Sequence, residues 1–195
     1  MNRLYILTLP TNSMTKKTLF TSLLIVLITS LSFAQKSKSI EKIKLGTGYT
    51  IVDYSYLYGR ELAYNIGYSK SISNNHRLWL VPSLTVGDFT TENIDDAEDQ
   101  HFLTSILSVA LQYDIISRNK FKFNVTAGSF ISNFKNFKNN YSILKNYNYG
   151  YNFSLGMEFK RKDKPYSIEL RPINVNLGTD SFVQFGANAI VNYRL

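Results

Sequence analysis

From residue 42 to the end of the chain, apolar side chains recur at every second position. This is the period of a β-strand with one face in an apolar medium and the other in a polar one. The last segment shows it most cleanly: Val183, Phe185, Ala187, Ala189, Val191, Tyr193 and Leu195 form one face, and Gln184, Gly186, Asn188, Asn192 and Arg194 most of the other. The same alternation runs through residues 61–69, 107–115, 121–128 and 151–160. Residues 78–86 carry Pro82, and 166–177 change phase near Pro172, which predicts a bulge there. With Ile43–Asp53 as the first, the pattern predicts eight strands.

The predicted connections alternate in length. After strands two, four and six stand short turn sequences, Ser73–His76, Ser117–Asn119 and Lys162–Pro165. After strands one, three and five stand longer stretches, Tyr54–Arg60, Thr91–Gln100 and Phe134–Asn148, and the last connection, around Gly178–Asp180, is short. No repeat, linker or domain boundary interrupts residues 42–195, and 35–41 form a short lead-in.

The N-terminus has a different character. Lys16 and Lys17 precede an apolar stretch, Leu19–Leu31, that ends in Ser32-Phe33-Ala34. A basic start, a short apolar centre and a small-residue exit describe a secretory signal peptide over residues 1–34, cleaved after Ala34, with Met14 a natural start. The stretch is too short and too often broken by Thr and Ser for a spanning helix.

Composition then narrows the classes. The 195 residues include no cysteine, which excludes disulfides, thiolate metal sites and a cysteine nucleophile. Charged residues are 18% and aromatics 14%, and mean hydropathy is −0.15, which fits neither a helical membrane protein nor a disordered chain. The net charge of +8 suggests nucleic acid at first sight. Residues 1–34 carry three basic residues and no acid, however, so the mature balance is +5, and an exported chain of that charge is expected to bind no nucleic acid.

Eight alternating strands fit two opposite objects: a soluble barrel with its apolar face around a ligand, or an outer-membrane barrel with that face in lipid. A water-facing surface would be rich in Lys and Glu. Here the polar positions are mostly Gly, Ser, Asn, Thr and Ala, small enough for the narrow lumen of an eight-stranded barrel. Tyr49, Tyr68, Tyr113, Tyr149, Tyr166 and Tyr193 stand near strand ends, as an interfacial aromatic girdle does. The expectation is an all-β, eight-stranded antiparallel up-and-down transmembrane β-barrel; the alternative is a soluble periplasmic lipocalin-like barrel holding a small apolar ligand.

On these features the chain resembles the small eight-stranded outer-membrane barrels of Gram-negative bacteria, the OmpA/OmpX-like and OmpW-like group. The resemblance spans residues 42–195 and includes the ending Val191-Asn192-Tyr193-Arg194-Leu195, which approximates the terminal aromatic signal read by the barrel assembly machinery but closes on Leu195 instead of Phe. It implies fold, export to the outer membrane and contact with the bilayer, with lipopolysaccharide and with that machinery. No motif in it carries a function.

In the lipid-facing orientation, the inward charges are Glu61, Arg77, Asp114, Lys122, Glu158, Lys160, Glu169, Arg171 and Arg194. Asp114 and Lys122 are expected to oppose each other, as are Glu158 and Glu169, with Lys160, Arg171 and Arg194 nearby to balance them. Such a set reads as a salt-bridged plug that fixes register, against the alternative of a proton-linked gate or ion path. Of the outer stretches, one holds Glu92, Asp95, Asp96, Glu98 and Asp99 without a basic residue, and the next holds Lys135, Phe137, Lys138 and Tyr141. These are the candidate contacts for lipopolysaccharide or for an extracellular or envelope protein; the acids match no EF-hand spacing.

Catalytic signals are sparse. His76 and His101 are the two histidines, and no nucleophile elbow, zinc helix or Cys/His cluster exists. Barrels of this size include lipid A-modifying enzymes that use a rim histidine with a serine; His101, with Asp99 and Ser105 close in sequence, is the one candidate for that weaker reading. The expected role is non-enzymatic and needs no cofactor: envelope structure, or recognition through surface loops.

Overall fold

A computed structural model describes residues 39–54, 57–91, 101–136, 147–161 and 163–195. They form eight antiparallel strands, β1 (Glu41–Tyr54), β2 (Leu57–Ser71), β3 (Leu78–Thr91), β4 (His101–Ser117), β5 (Phe121–Asn136), β6 (Tyr147–Lys160), β7 (Tyr166–Gly178) and β8 (Val183–Arg194). Each strand pairs with its chain neighbours, and β1 pairs with β8 from Lys42↔Arg194 to Asp53↔Val183, so the sheet closes on itself. Closure removes both sheet edges and satisfies the ladder all the way round, which a barrel in hydrocarbon requires. The signal-peptide reading of residues 1–34 lies outside the described residues.

The strands are 12–17 residues long, more than the ten-residue segments of clean alternation. At about 3.3 Å per residue and a tilt near 45°, a 14-residue strand rises roughly 33 Å, past an outer-membrane apolar band about 25 Å tall. The surplus lies at the end opposite the short turns. There, the expected loop Tyr54–Arg60 is instead continuous ladder: Asp53 pairs with Tyr58 and Tyr54 with Leu57, leaving two residues between strands. Alternation persists through it, with Val52, Gly59 and Glu61 buried and Tyr58 exposed, so the two-residue period carries both strands past the expected loop. Likewise β5 continues past Phe134 to Asn136.

Turn chemistry fixes the short connections. Ser73 Oγ accepts from the backbone N–H groups of Arg77 and Leu78, and His76 takes a left-handed φ of 53°. Arg118 and Phe121 exchange backbone hydrogen bonds across Asn119-Lys120. At the opposite end, Asp180 and Ser181 adopt φ of 55° and 62°, and Gly178 N–H donates to the Phe182 carbonyl, closing β7 onto β8. The expected bulge appears on β7, where the register with β8 shifts between Arg171 and Asn174. Pro82, by contrast, causes no shift: it pairs with Val109 while the β2–β3 register is kept on both sides.

The side chains settle which face is inside. Leu45, Tyr64, Ile66, Leu107, Ile168 and Val191 project outward, Tyr64 at 60% exposure, whereas Lys44, Glu61, Asp114 and Glu169 are at 2% or less. Tyr68, Ile43, Tyr193 and Tyr166 are successive cross-strand neighbours on the outer face, a band of three tyrosines and one isoleucine at the turn end. Tyr58, Tyr147, Tyr149 and Tyr151 stand outward at the loop end. An apolar belt between two tyrosine zones is the profile of a lipid-facing barrel. A lipocalin-like arrangement would put Tyr64, Leu155 and Val191 around a cavity, and it does not occur.

Candidate functional site

The lumen is filled in tiers. At the turn end, Lys42 Nζ donates to Glu158 Oε1 and Oε2 at 2.7 and 3.0 Å, and Ser167 Oγ donates to the same carboxylate at 2.5 Å. Lys122 pairs with Asp114. Trp79, 2% exposed, contacts both lysines, whose Nζ atoms are 4.7 and 4.9 Å from its ring centroid, and its Nε1–H donates to Asp114 Oδ2 at 3.0 Å. Both lysines therefore meet a carboxylate and an aromatic face where little of either side chain is exposed.

Deeper in, Glu169 binds two cations. Lys44 Nζ donates to Oε2 at 3.0 Å and Arg171 Nε to Oε1 at 2.8 Å, with Asn192 Nδ2 on Oε2 at 3.1 Å. Gln112 connects the tiers: its Oε1 accepts from Lys44 at 2.8 Å and its Nε2 donates to Asp114 at 3.2 Å. Further toward the loop end, the buried Glu61 carboxylate accepts from Thr104 Oγ1 and from Gln184 Nε2, the latter at 3.1 Å. Gly87 faces it, where a Cβ would fall 1.5 Å from Glu61 Oε1; only glycine leaves room for the carboxylate.

Above Glu61 the lumen becomes apolar. Val52, Phe102, Ile106, Phe130, Phe134 and Phe182 form a buried cluster, with Phe182 5.6 Å from Phe130 and 5.5 Å from Phe134 between ring centroids. The β7–β8 turn inserts Phe182 into this cluster. Ion pairs below and phenylalanines above leave a packed interior, as eight strands require.

Of the nine inward charges named from sequence, Glu61, Asp114, Lys122, Glu158 and Glu169 are buried in the lumen, and Arg171 is largely so. Lys160 and Arg194 stand at the turn-end mouth, the latter exposed. Arg77 is exposed on the β2–β3 turn and joins no lumen pair; it stands at the rim, beyond the point where the wall encloses a side chain. Glu158 and Glu169 do face each other in register, yet each has its own cation, so no bare carboxylate pair forms. Asp114 and Lys122 are not directly opposite, because the turn is centred on Asn119-Lys120: Asn124 is the backbone partner of Asp114 and Ser117 that of Lys122, yet the two side chains still form an ion pair.

Lys42, Lys44, Trp79 and Gln112 are missing from the sequence-derived set, although the even-numbered positions of β1 carry the polar face. Leu78-Trp79-Leu80 hides the phase of β3 because all three residues are apolar. Glu92, Asp95, Asp96, Glu98, Asp99, Phe137, Lys138 and Tyr141 lie outside the described residues; the Lys135 backbone pairs with Leu103. Ser105 stands on the lipid side of β4, and Asp99 also lies outside the described residues.

These features define a class: an eight-stranded barrel with the fold of the small outer-membrane barrels. Neisserial surface protein A is similar in structure, with a TM-score of 0.62 at 10% identity over 80% of this chain and 97% of that one. Ail, the attachment invasion locus protein of Yersinia pestis, solved with the heparin analogue sucrose octasulfate, gives a TM-score of 0.55 at 13% identity over 80% and 99%. No protein-family model and no curated protein sequence matches the chain.

Proposed function

We propose that this protein is a non-enzymatic outer-membrane barrel whose role is envelope structure or recognition at the cell surface. The supporting observation is the apolar exterior between two tyrosine zones, wrapped around an interior of matched charges and a phenylalanine plug. Such an object is stable in lipid and offers no open bore, so its activity resides in what it displays. In this reading the β2–β3, β4–β5 and β6–β7 turns face the periplasm, and the opposite end, to which the two longer connections 92–100 and 137–146 belong, is the side turned toward lipopolysaccharide or a partner. Their acidic and Lys–aromatic compositions are opposite in sign, which suits contact with mixed-charge surfaces.

The test is made in intact Gram-negative cells expressing the protein. A photo-cross-linking residue replaces Phe137 or Tyr141, and external protease is added in parallel. Cleavage within 92–100 or 137–146 without cell lysis, and a defined adduct from either position, is the expected result. Protection of both segments in intact cells, with cleavage after the outer membrane is permeabilised, would reverse the orientation and end the proposal.

A further inference from the structure

The turn-end mouth of the barrel opens into a cavity of about 520 Å³ whose charge is one-sided. Glu158 is the one carboxylate lining it among the described residues, and Lys42 already neutralises that acid. Lys122 is likewise taken by Asp114. Around the same mouth stand Arg118, Arg161, Lys164 and Arg194, four cations outside the lumen pairs, together with Lys160, which shares the field of Glu158 with Lys42. The geometry is held by backbone: Lys160 N–H donates to the Lys120 carbonyl at 2.8 Å, and Arg194 N–H to the Pro165 carbonyl at 2.7 Å, so the β4–β5 and β6–β7 turns are tied to the ends of β6 and β8. Like charges gathered on a fixed rim repel one another, and the potential inside a narrow low-dielectric mouth is focused.

We propose that this vestibule is a binding site for a multivalent phosphate-bearing anion. Arginine guanidinium groups match phosphate oxygens in a planar, bidentate fashion, and lysines add point charges around them. The cavity holds a group of a few phosphates and excludes a folded macromolecule. Two sources carry this chemistry, a phospholipid headgroup from the adjoining leaflet and a soluble phosphate compound. The site is distinct from the outer connections and does not depend on the surface role proposed above.

Trp79 makes the test direct. It is the single tryptophan of the chain, it forms the floor of the vestibule, and Lys42 and Lys122 sit on its ring. Pyrophosphate is titrated into the folded full-length protein in neutral detergent while tryptophan emission and the phosphorus-31 linewidth are followed, with sodium chloride at matched ionic strength as control. A saturable response to pyrophosphate and none to chloride is expected. In R118Q/R161Q/R194Q, which alters exposed rim positions, binding weakens on the order of tenfold, about two- to threefold per charge removed. The heat-dependent gel shift of folded barrels shows that the variant is folded. Absence of saturation in both signals, or a triple variant that titrates like the parent, overturns the site. Repeating the titration in bilayers separates the sources: suppression in phosphatidylglycerol relative to phosphatidylcholine identifies the headgroup, and equal binding in both identifies the soluble anion.

Discussion

Glu169 carries the most consequential charge in the lumen, because two cations depend on one acid. Lys44 lies 3.0 Å and Arg171 2.8 Å from its carboxylate oxygens. At an effective dielectric near 20, each contact at that distance is worth about 5–6 kcal/mol of attraction, most of it offset by the cost of dehydrating the charges. In Glu169→Gln the offset remains and the attraction is gone, leaving Lys44 and Arg171 buried and mutually repelling, at about 3–5 kcal/mol. Lys44→Met has the opposite logic. Glu169 keeps Arg171 and Asn192, the group moves from net +1 to neutral, and the main loss is the donor to Gln112, about 1 kcal/mol. In urea unfolding from lipid vesicles followed by Trp79 emission, a slope of about 2 kcal/mol/M converts these into midpoint drops of about 1.5–2.5 M and 0.5 M respectively. A K44M midpoint as low as that of E169Q, or an E169Q midpoint within about 0.5 M of the parent, would refute the two-cations-on-one-acid account.

Three other outcomes follow from the same geometry. Leu107→Arg, at the centre of the outward belt beside Leu84 and Ile131, destabilises the barrel in vesicles by about 2–4 kcal/mol, whereas Ile116→Arg at the turn end costs about 0–1; equal costs would contradict a membrane-depth profile. Gly87→Ala displaces the Glu61 carboxylate from Thr104 and Gln184, costs about 1–3 kcal/mol and lowers the temperature at which the folded gel band converts. The double variant G87A/E61A should lose no more than E61A alone; an additive loss would show that Gly87 is crowded by something else. In planar bilayers the protein gives no stable conductance, since Phe102, Phe130, Phe134 and Phe182 close the lumen; reproducible single-channel steps would disprove the plug.

Strand number, closure order and the β7 bulge were legible because a two-residue period with Pro172 in its path admits few other readings. The interior was less so. Alternation assigns a face to every residue, but it does not say which inward side chains meet across the lumen. Lys42 finds Glu158 at a sequence distance of 116 residues, a contact set by barrel diameter and strand stagger. Phe130 and Phe134 share the inward parity of Lys122 and Asn124, yet a phenylalanine on the polar face looks like a lapse in the pattern until the plug is seen. The segment Tyr54–Arg60 resembled a loop because its Tyr, Ser and Gly content is that of a turn, while the ladder beneath it was decided by the partner strand.

One lumen feature bears on how the molecule comes together. Lys42 and Lys44 belong to the first strand, and the acids that receive them belong to the sixth and seventh. During synthesis the lysines emerge more than a hundred residues ahead of their mates, so any partly built sheet carries orphan positive charge along its leading edge. Hydrocarbon rejects such an edge, whereas the finished cylinder conceals it. The first strand's charges are thus matched only when the sheet has curled far enough to bring β6 and β7 across the lumen from β1.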